Sequence, residues 1–108
     1  MIYTIKKTNQ FKQDFKLCIK RGLDINEFTK VLTLLQTGSP LPEQYKDHPL
    51  QPTKDFKNCR ELHIEPDWLL VYKYSNENLI LYLVRTGSHY DLFKYLFKRP
   101  ATKKVVGL

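Results

Sequence analysis

Two adjoining segments, "DWLLVYKY" (67–74) and "LILYLVRT" (79–86), restrict the possible folds more than any other part of the chain, because each is apolar on both of its alternating faces. A strand of that kind must be covered on both sides, which places the two runs at the centre of a sheet. A third run, "NCRELHIE" (58–65), precedes them and stops at Pro66, and the turn-forming "SNEN" (75–78) separates the later two. Short connections of this length make the three runs antiparallel neighbours. Upstream, "MIYTIKKT" alternates and predicts a further strand, about four in all. With 108 residues the chain can bury one modest core. A single domain is therefore expected over residues 1–97, followed by a basic tail, 98–108.

The cover for this sheet is legible between the first strand and the later ones. Phe11, Phe15, Cys18 and Ile19 recur at helical spacing, Lys12, Lys16 and Lys20 line another face, and Gly22 stands where a left-handed cap ends a helix. A second helix opens at Asp24, with Glu27 in the capping-box position, carries Phe28, Val31, Leu32 and Leu35, and closes at Gly38. "HYDLFKYLF" (89–97) is a candidate short C-terminal helix. The expected class is α+β, with a small antiparallel sheet, two N-terminal helices packed on one face, and the other face partly covered. "GSPLPEQYKDHPLQP" (38–52) is a long polar, proline-rich loop of the kind that carries function, and it contains His48.

The formal net charge of +7 comes from basic residues spread between Lys6 and Lys104. Such a field favours polyanions, nucleic acid above all, without conferring sequence choice. No apolar run approaches the roughly 20 residues of a spanning helix, so no membrane partner is expected. The first residues lack a secretory pattern, which points to the cytoplasm. Cys18 and Cys59 are too few for a disulfide framework and are expected as buried thiols.

Three histidines, His48, His63 and His89, all stand in or beside a segment boundary, with Asp67 and Arg85 close by in the pattern. Two imidazoles around one phosphodiester can serve as general base and general acid, and Asp67 can orient one of them. Arg85, at the end of an apolar run, offers a fork of donors suited to non-bridging phosphate oxygens; a salt bridge to Glu61, Glu65 or Asp91 explains it equally well. A zinc site competes for the histidines, but no His-x-x-x-His or Cys-x-x-Cys spacing exists, so neither metal nor other cofactor is expected. Trp68 and Phe93 are candidates to stack on bases, with core packing the alternative, which is preferred for Tyr72 and Tyr74. Lys54, Lys57 and Arg60 are candidate backbone contacts, or else part of a solvated basic face.

"YKDHPL" (45–50), "RELHIEPDWLLVYK" (60–73) and "LVRTGSHYDLF" (83–93), in this order and at these separations, resemble the YafQ-like branch of the RelE/ParE superfamily of bacterial toxins. The resemblance implies a RelE-like fold and a type II toxin acting as a metal-independent endoribonuclease that cuts messenger RNA in the ribosomal A site. It carries the functional positions of the family onto His48, His63, Asp67, Trp68, Arg85, His89 and Phe93. It also implies a cognate antitoxin with an acidic segment, and operator DNA bound only through the toxin–antitoxin complex. Two alternatives make different use of the same residues. One is a same-fold toxin of the ParE kind that inhibits gyrase without cutting RNA; the other is a non-catalytic nucleic-acid-binding module. The sequence departs from the family after "HPL", where "QPTKDFKN" replaces a loop containing glycine and tryptophan, and in Tyr90 and Asp91 after His89.

Overall fold

The computed structural model of the chain describes residues 2–51 and 56–92. The elements run β1 (Thr4–Lys7), α1 (Asn9–Lys20), α2 (Ile25–Gln36), a 3-10 turn (Glu43–Tyr45), β2 (His48–Pro49), β3 (Arg60–Glu65), β4 (Trp68–Ser75) and β5 (Ile80–Gly87). A last helical turn begins at His89–Leu92. The rest of the expected C-terminal helix and the basic tail lie outside the described residues.

Both long helices have the ends their sequences announce. Thr8 caps α1 by accepting from the Phe11 amide at 2.9 Å, and Gly22 follows with φ +79°. Asp24 caps α2 by accepting from the Asn26 amide, while Glu27 pairs with Lys30 at 3.0 Å and does not close the capping box. Ile19, expected in the apolar stripe, is half exposed. It sits about 80° round the helix from Phe11, at the margin of the face that α1 buries.

The β3–β4–β5 meander forms the centre of the sheet, whose order is β1-β5-β4-β3-β2. Two features differ from the expected four antiparallel strands. His48–Pro49 supplies a fifth strand, too short to leave a period in the sequence, and β1 pairs with β5 in parallel. The helices account for the second: the chain leaves β1 at one edge, crosses the sheet through α1 and α2, and re-enters at the opposite edge. On the helix-covered face, Phe11, Val31 and Leu35 pack with Leu62, Leu70, Tyr72, Leu81 and Leu83. On the other face a smaller cluster of Phe56, Cys59, Leu69, Val71 and Leu92 covers part of the sheet and leaves the rest open. Cys18 and Cys59 are free and buried, and burial pushes both thiols up.

Register then decides what stands on the open face. Residues directly opposite in a ladder share a face. His48 pairs with Glu61, Glu61 with Val71, and Val71 with Arg85, so these four make one row; His63, Leu69 and Gly87 make the next. Arg85 is there because of a bulge. The β4–β5 register shifts between Val71 and Tyr72, which leaves Val84 as an extra residue and moves Arg85 to the open face and Thr86 to the helix face.

Candidate active site

The three histidines arrive from different elements and meet. The His63 ring centroid lies 6.5 Å from that of His48 and 5.2 Å from that of His89. His48 hangs on β2, with its Nδ1 donating to the Lys46 carbonyl at 2.7 Å and its Nε2 3.3 Å from Glu61 Oε1. Since a carbonyl only accepts, Nδ1 of this ring carries a hydrogen, while Nε2 faces the Glu61 carboxylate. His89 follows β5, and a single carboxylate oxygen orients it: Asp67 Oδ1 accepts from the His89 amide at 2.8 Å and from its Nδ1 at 2.6 Å. Those two bonds, the amide first, hold the Asp67 carboxyl below its ordinary range. With Nδ1 committed to Asp67, His89 keeps Nε2 for proton transfer. The side chains of His48 and His89 are 45% and 53% exposed, open enough for a polymer substrate to reach them. A cavity of about 370 Å³, lined by Gln44, Lys46, His63 and Glu65 among others, opens beside the third imidazole.

The turn that carries His89 is built locally. Ser88 and Asp91 close a reciprocal capping box, each side chain accepting from the other's amide at 3.1 Å. Arg21, beyond the end of α1, donates to Asp91 at 2.7 Å and ties the turn to the helical layer. Gly87 has φ +156°, and a Cβ there would stand 3.0 Å from Asp91 Oδ2.

The remaining predicted residues divide. Arg85 falls on the face of Val71 but is buried, 8% exposed, and its guanidinium is engaged by Asp14 of α1, Nε to Oδ2 at 2.8 Å and Nη2 to Oδ1 at 3.1 Å. Asp14 thus stands where the salt-bridge alternative had named Glu61, Glu65 or Asp91. Asp14 also accepts from the Thr86 amide at 3.2 Å, at the stretch of β5 edge that β1 is too short to pair. Trp68 is corrected from base stacking to core. It is 1% exposed, stacks on Phe28, and donates from its indole to Thr86 Oγ1 at 2.8 Å. Arg60, a candidate RNA contact, is 41% exposed at its side chain; its register partner Tyr72 lies on the helix face, and Asp47 there accepts from its Nε and Nη2 at 3.0 and 2.7 Å. Lys57 is exposed. Lys54 and Phe93 lie outside the described residues.

Sequence reasoning missed Glu61 as the companion of His48, although it stands two residues before His63 and so on the same strand face. It also missed Asp14, for which no local signal exists. Among the described residues no three of the His, Cys, Asp and Glu side chains are grouped to hold a metal ion.

This geometry can be set beside known proteins. The family model described as "Bacterial toxin of type II toxin-antitoxin system, YafQ" matches residues 3–94. The chain belongs to the YafQ toxin family. An Escherichia coli (strain B / BL21-DE3) member of the family, named mRNA interferase toxin YafQ, is 44% identical over 90 residues, covering 82% of this chain and 94% of the relative. In the crystal structure of the E. coli DinJ-YafQ toxin-antitoxin complex, the matched chain superposes with a TM-score of 0.76 at 41% identity, over 86% of this chain and 99% of that one. A metal-bound toxin from Helicobacter pylori superposes with a TM-score of 0.77 at 43% identity, over 86% and 100%. The YafQ family and fold expected from "YKDHPL", "RELHIEPDWLLVYK" and "LVRTGSHYDLF" are therefore the ones found.

Proposed function

We propose that this YafQ-family toxin is a ribosome-dependent endoribonuclease that cuts messenger RNA in the ribosomal A site and so stops translation. The observation that carries the reading is the meeting of His48, His63 and His89, with Asp67, on one open sheet face. The name mRNA interferase borne by the E. coli relative supports it.

The ribose 2′-hydroxyl attacks the adjacent phosphorus as a general base removes its proton. The phosphorus–5′-oxygen bond breaks, and a general acid protonates the departing oxygen. The products are a 2′,3′-cyclic phosphate, or the 3′-phosphate from its hydrolysis, and a 5′-hydroxyl. Base and acid are drawn from His63, His89, His48 and Asp67; His89 is suited to either step because Asp67 fixes its tautomer and leaves Nε2 toward substrate. Two imidazoles complete the proton bookkeeping, so the chemistry needs no metal. A direct clamp by Arg85 on the phosphorane requires its guanidinium to exchange Asp14 for a phosphate oxygen. Lys57 contributes to the cationic surface that holds the RNA, and Lys54 and Phe93 belong to the same proposal.

The partners follow. The +7 body suits a cognate antitoxin with an acidic segment, and the DinJ-YafQ complex supports one. Operator DNA is bound through that complex, and the working compartment is the cytoplasm with its ribosomes.

Toxin stripped of metal with a chelator, then added to translating ribosomes, is expected to cut the message at a fixed codon position and leave 5′-hydroxyl ends. Intact transcripts, in a reaction where the E. coli relative cuts, would reject the reading.

A further inference from the structure

β2 consists of two residues, and a ladder that short does not hold a side chain in place. His48 nevertheless has a defined position, and the residue before it explains why. Along an extended segment successive side chains point to opposite faces, so His48 on the open face puts Asp47 on the helix face. There Asp47 is gripped from two strands. Arg60 of β3 donates from Nε and Nη2 to Oδ2, and Tyr72 of β4 donates from its hydroxyl to Oδ1. Arg60 and Tyr72 are themselves register partners, so the carboxylate ties the loop to the rigid centre of the sheet. Lys46, just upstream, adopts φ +48°, a left-handed conformation that disfavours a non-glycine residue. That conformation accompanies the placement of its carbonyl against His48 Nδ1 at 2.7 Å. The three residues Lys46, Asp47 and His48 form one device: strain, anchor and imidazole.

We propose that Asp47, held by Arg60 and Tyr72, is a positioning residue that fixes the place and tautomer of His48 from the opposite face of the sheet. This rests on the reading of His48 as part of the nuclease site. The surrounding groups keep the charge state the anchor needs: the Asp47 hydrogen bond raises the Arg60 guanidinium, and burial, then Asp47, raises the Tyr72 phenol.

The test compares wild type, Asp47→Asn and Tyr72→Phe, each with and without His48→Ala. In the native background the cleavage rate on saturating ribosomes is expected to fall about 10- to 100-fold with half-saturation unchanged. In the His48→Ala background the further loss should shrink to about 2-fold or less, since both changes act through one ring. An equal loss in both backgrounds, or no loss, overturns the proposal. Nitrogen-15 spectra of the His48 ring give a readout independent of cleavage: one tautomer with its hydrogen on Nδ1 in wild type, averaging in both variants, with His89 signals unchanged. Unaltered His48 signals in both folded variants overturn the proposal even if RNA is cut. If wild type cuts nothing, the nuclease reading falls and these signals alone decide the positioning role.

Discussion

Asp67 and His89 show how much a single oxygen can organise at this site. The Asp67 side chain is 68% exposed, yet two donors from His89 converge on its Oδ1. Because its carboxyl is held below the ordinary 3.8, the bond to His89 stabilises the fold at every pH above that value. Urea unfolding of wild type and Asp67→Asn should therefore differ by a constant amount at neutral pH. The gap should close as pH falls below 3.8 toward the depressed native value; a gap that persists to pH 2 would contradict the assignment. Trp68 teaches the opposite lesson. Its place next to Asp67 in the sequence suggests a substrate contact, but its ring is buried against Phe28 and its N–H is satisfied by Thr86. Trp68→Ala should cost about 3–5 kcal/mol in equilibrium unfolding, the range for a large core aromatic, and a loss under 1 kcal/mol would put the indole at the surface after all.

At the level of elements, the site depends on how strands end. β5 gives way to the Ser88–Asp91 capping box through Gly87, whose backbone geometry an L side chain rarely adopts and whose missing Cβ makes room for Asp91. Gly87→Ala should lower stability by about 1–3 kcal/mol and reduce cleavage through displacement of His89. Denaturation midpoints and ribosome assays check both effects, and an alanine variant as stable and active as wild type would show that the turn tolerates the methyl. The helices and the three-strand meander were legible in the sequence, because each rests on a local period or a capping residue; the meeting of the histidines was expected only from their places at segment boundaries and from the family resemblance. β2 was not, since two residues carry no period. Nor was the parallel partner of β1, since Thr4 and its register partner Ile80 lie 76 residues apart. The destinations of Arg60 and Arg85 were likewise hidden: a guanidinium at a strand end looks the same whether it will meet a phosphate or an aspartate, and Asp14 lies 71 residues from Arg85. The bulge at Val84, which decides the face Arg85 takes, leaves no mark in an apolar run.

For the whole molecule, one sheet separates two functions. The helix face holds the core and the Asp47 anchor, and the open face holds the imidazoles. The core carries its own pH signature at the alkaline end. Tyr74 donates to the Leu35 carbonyl at 2.6 Å, and burial pushes its phenol up to about 12 from 10. Tyr72 shifts the same way. Native values above the unfolded one mean that this contribution to stability is complete below pH 10 and is lost as pH rises through the native values. Stability should thus begin to decline above pH 9, where the raised Cys18 and Cys59 thiols lose their share, and fall more steeply above pH 10, with a shallower decline above pH 10 in Tyr74→Phe; identical slopes there would show the phenol to be hydrated in the native state.

The convergence of the imidazoles is tested most directly by mapping the 5′ ends of cellular messages after induction of wild type, His63→Ala and His89→Ala at matched protein levels. New 5′-hydroxyl ends at fixed codon positions are expected with wild type, and their loss with either variant, by about 100-fold or more as befits removal of a general acid or base. The same ends at the same frequency in both variants, or no new ends in wild type while growth stops, would contradict a nuclease centre at these histidines.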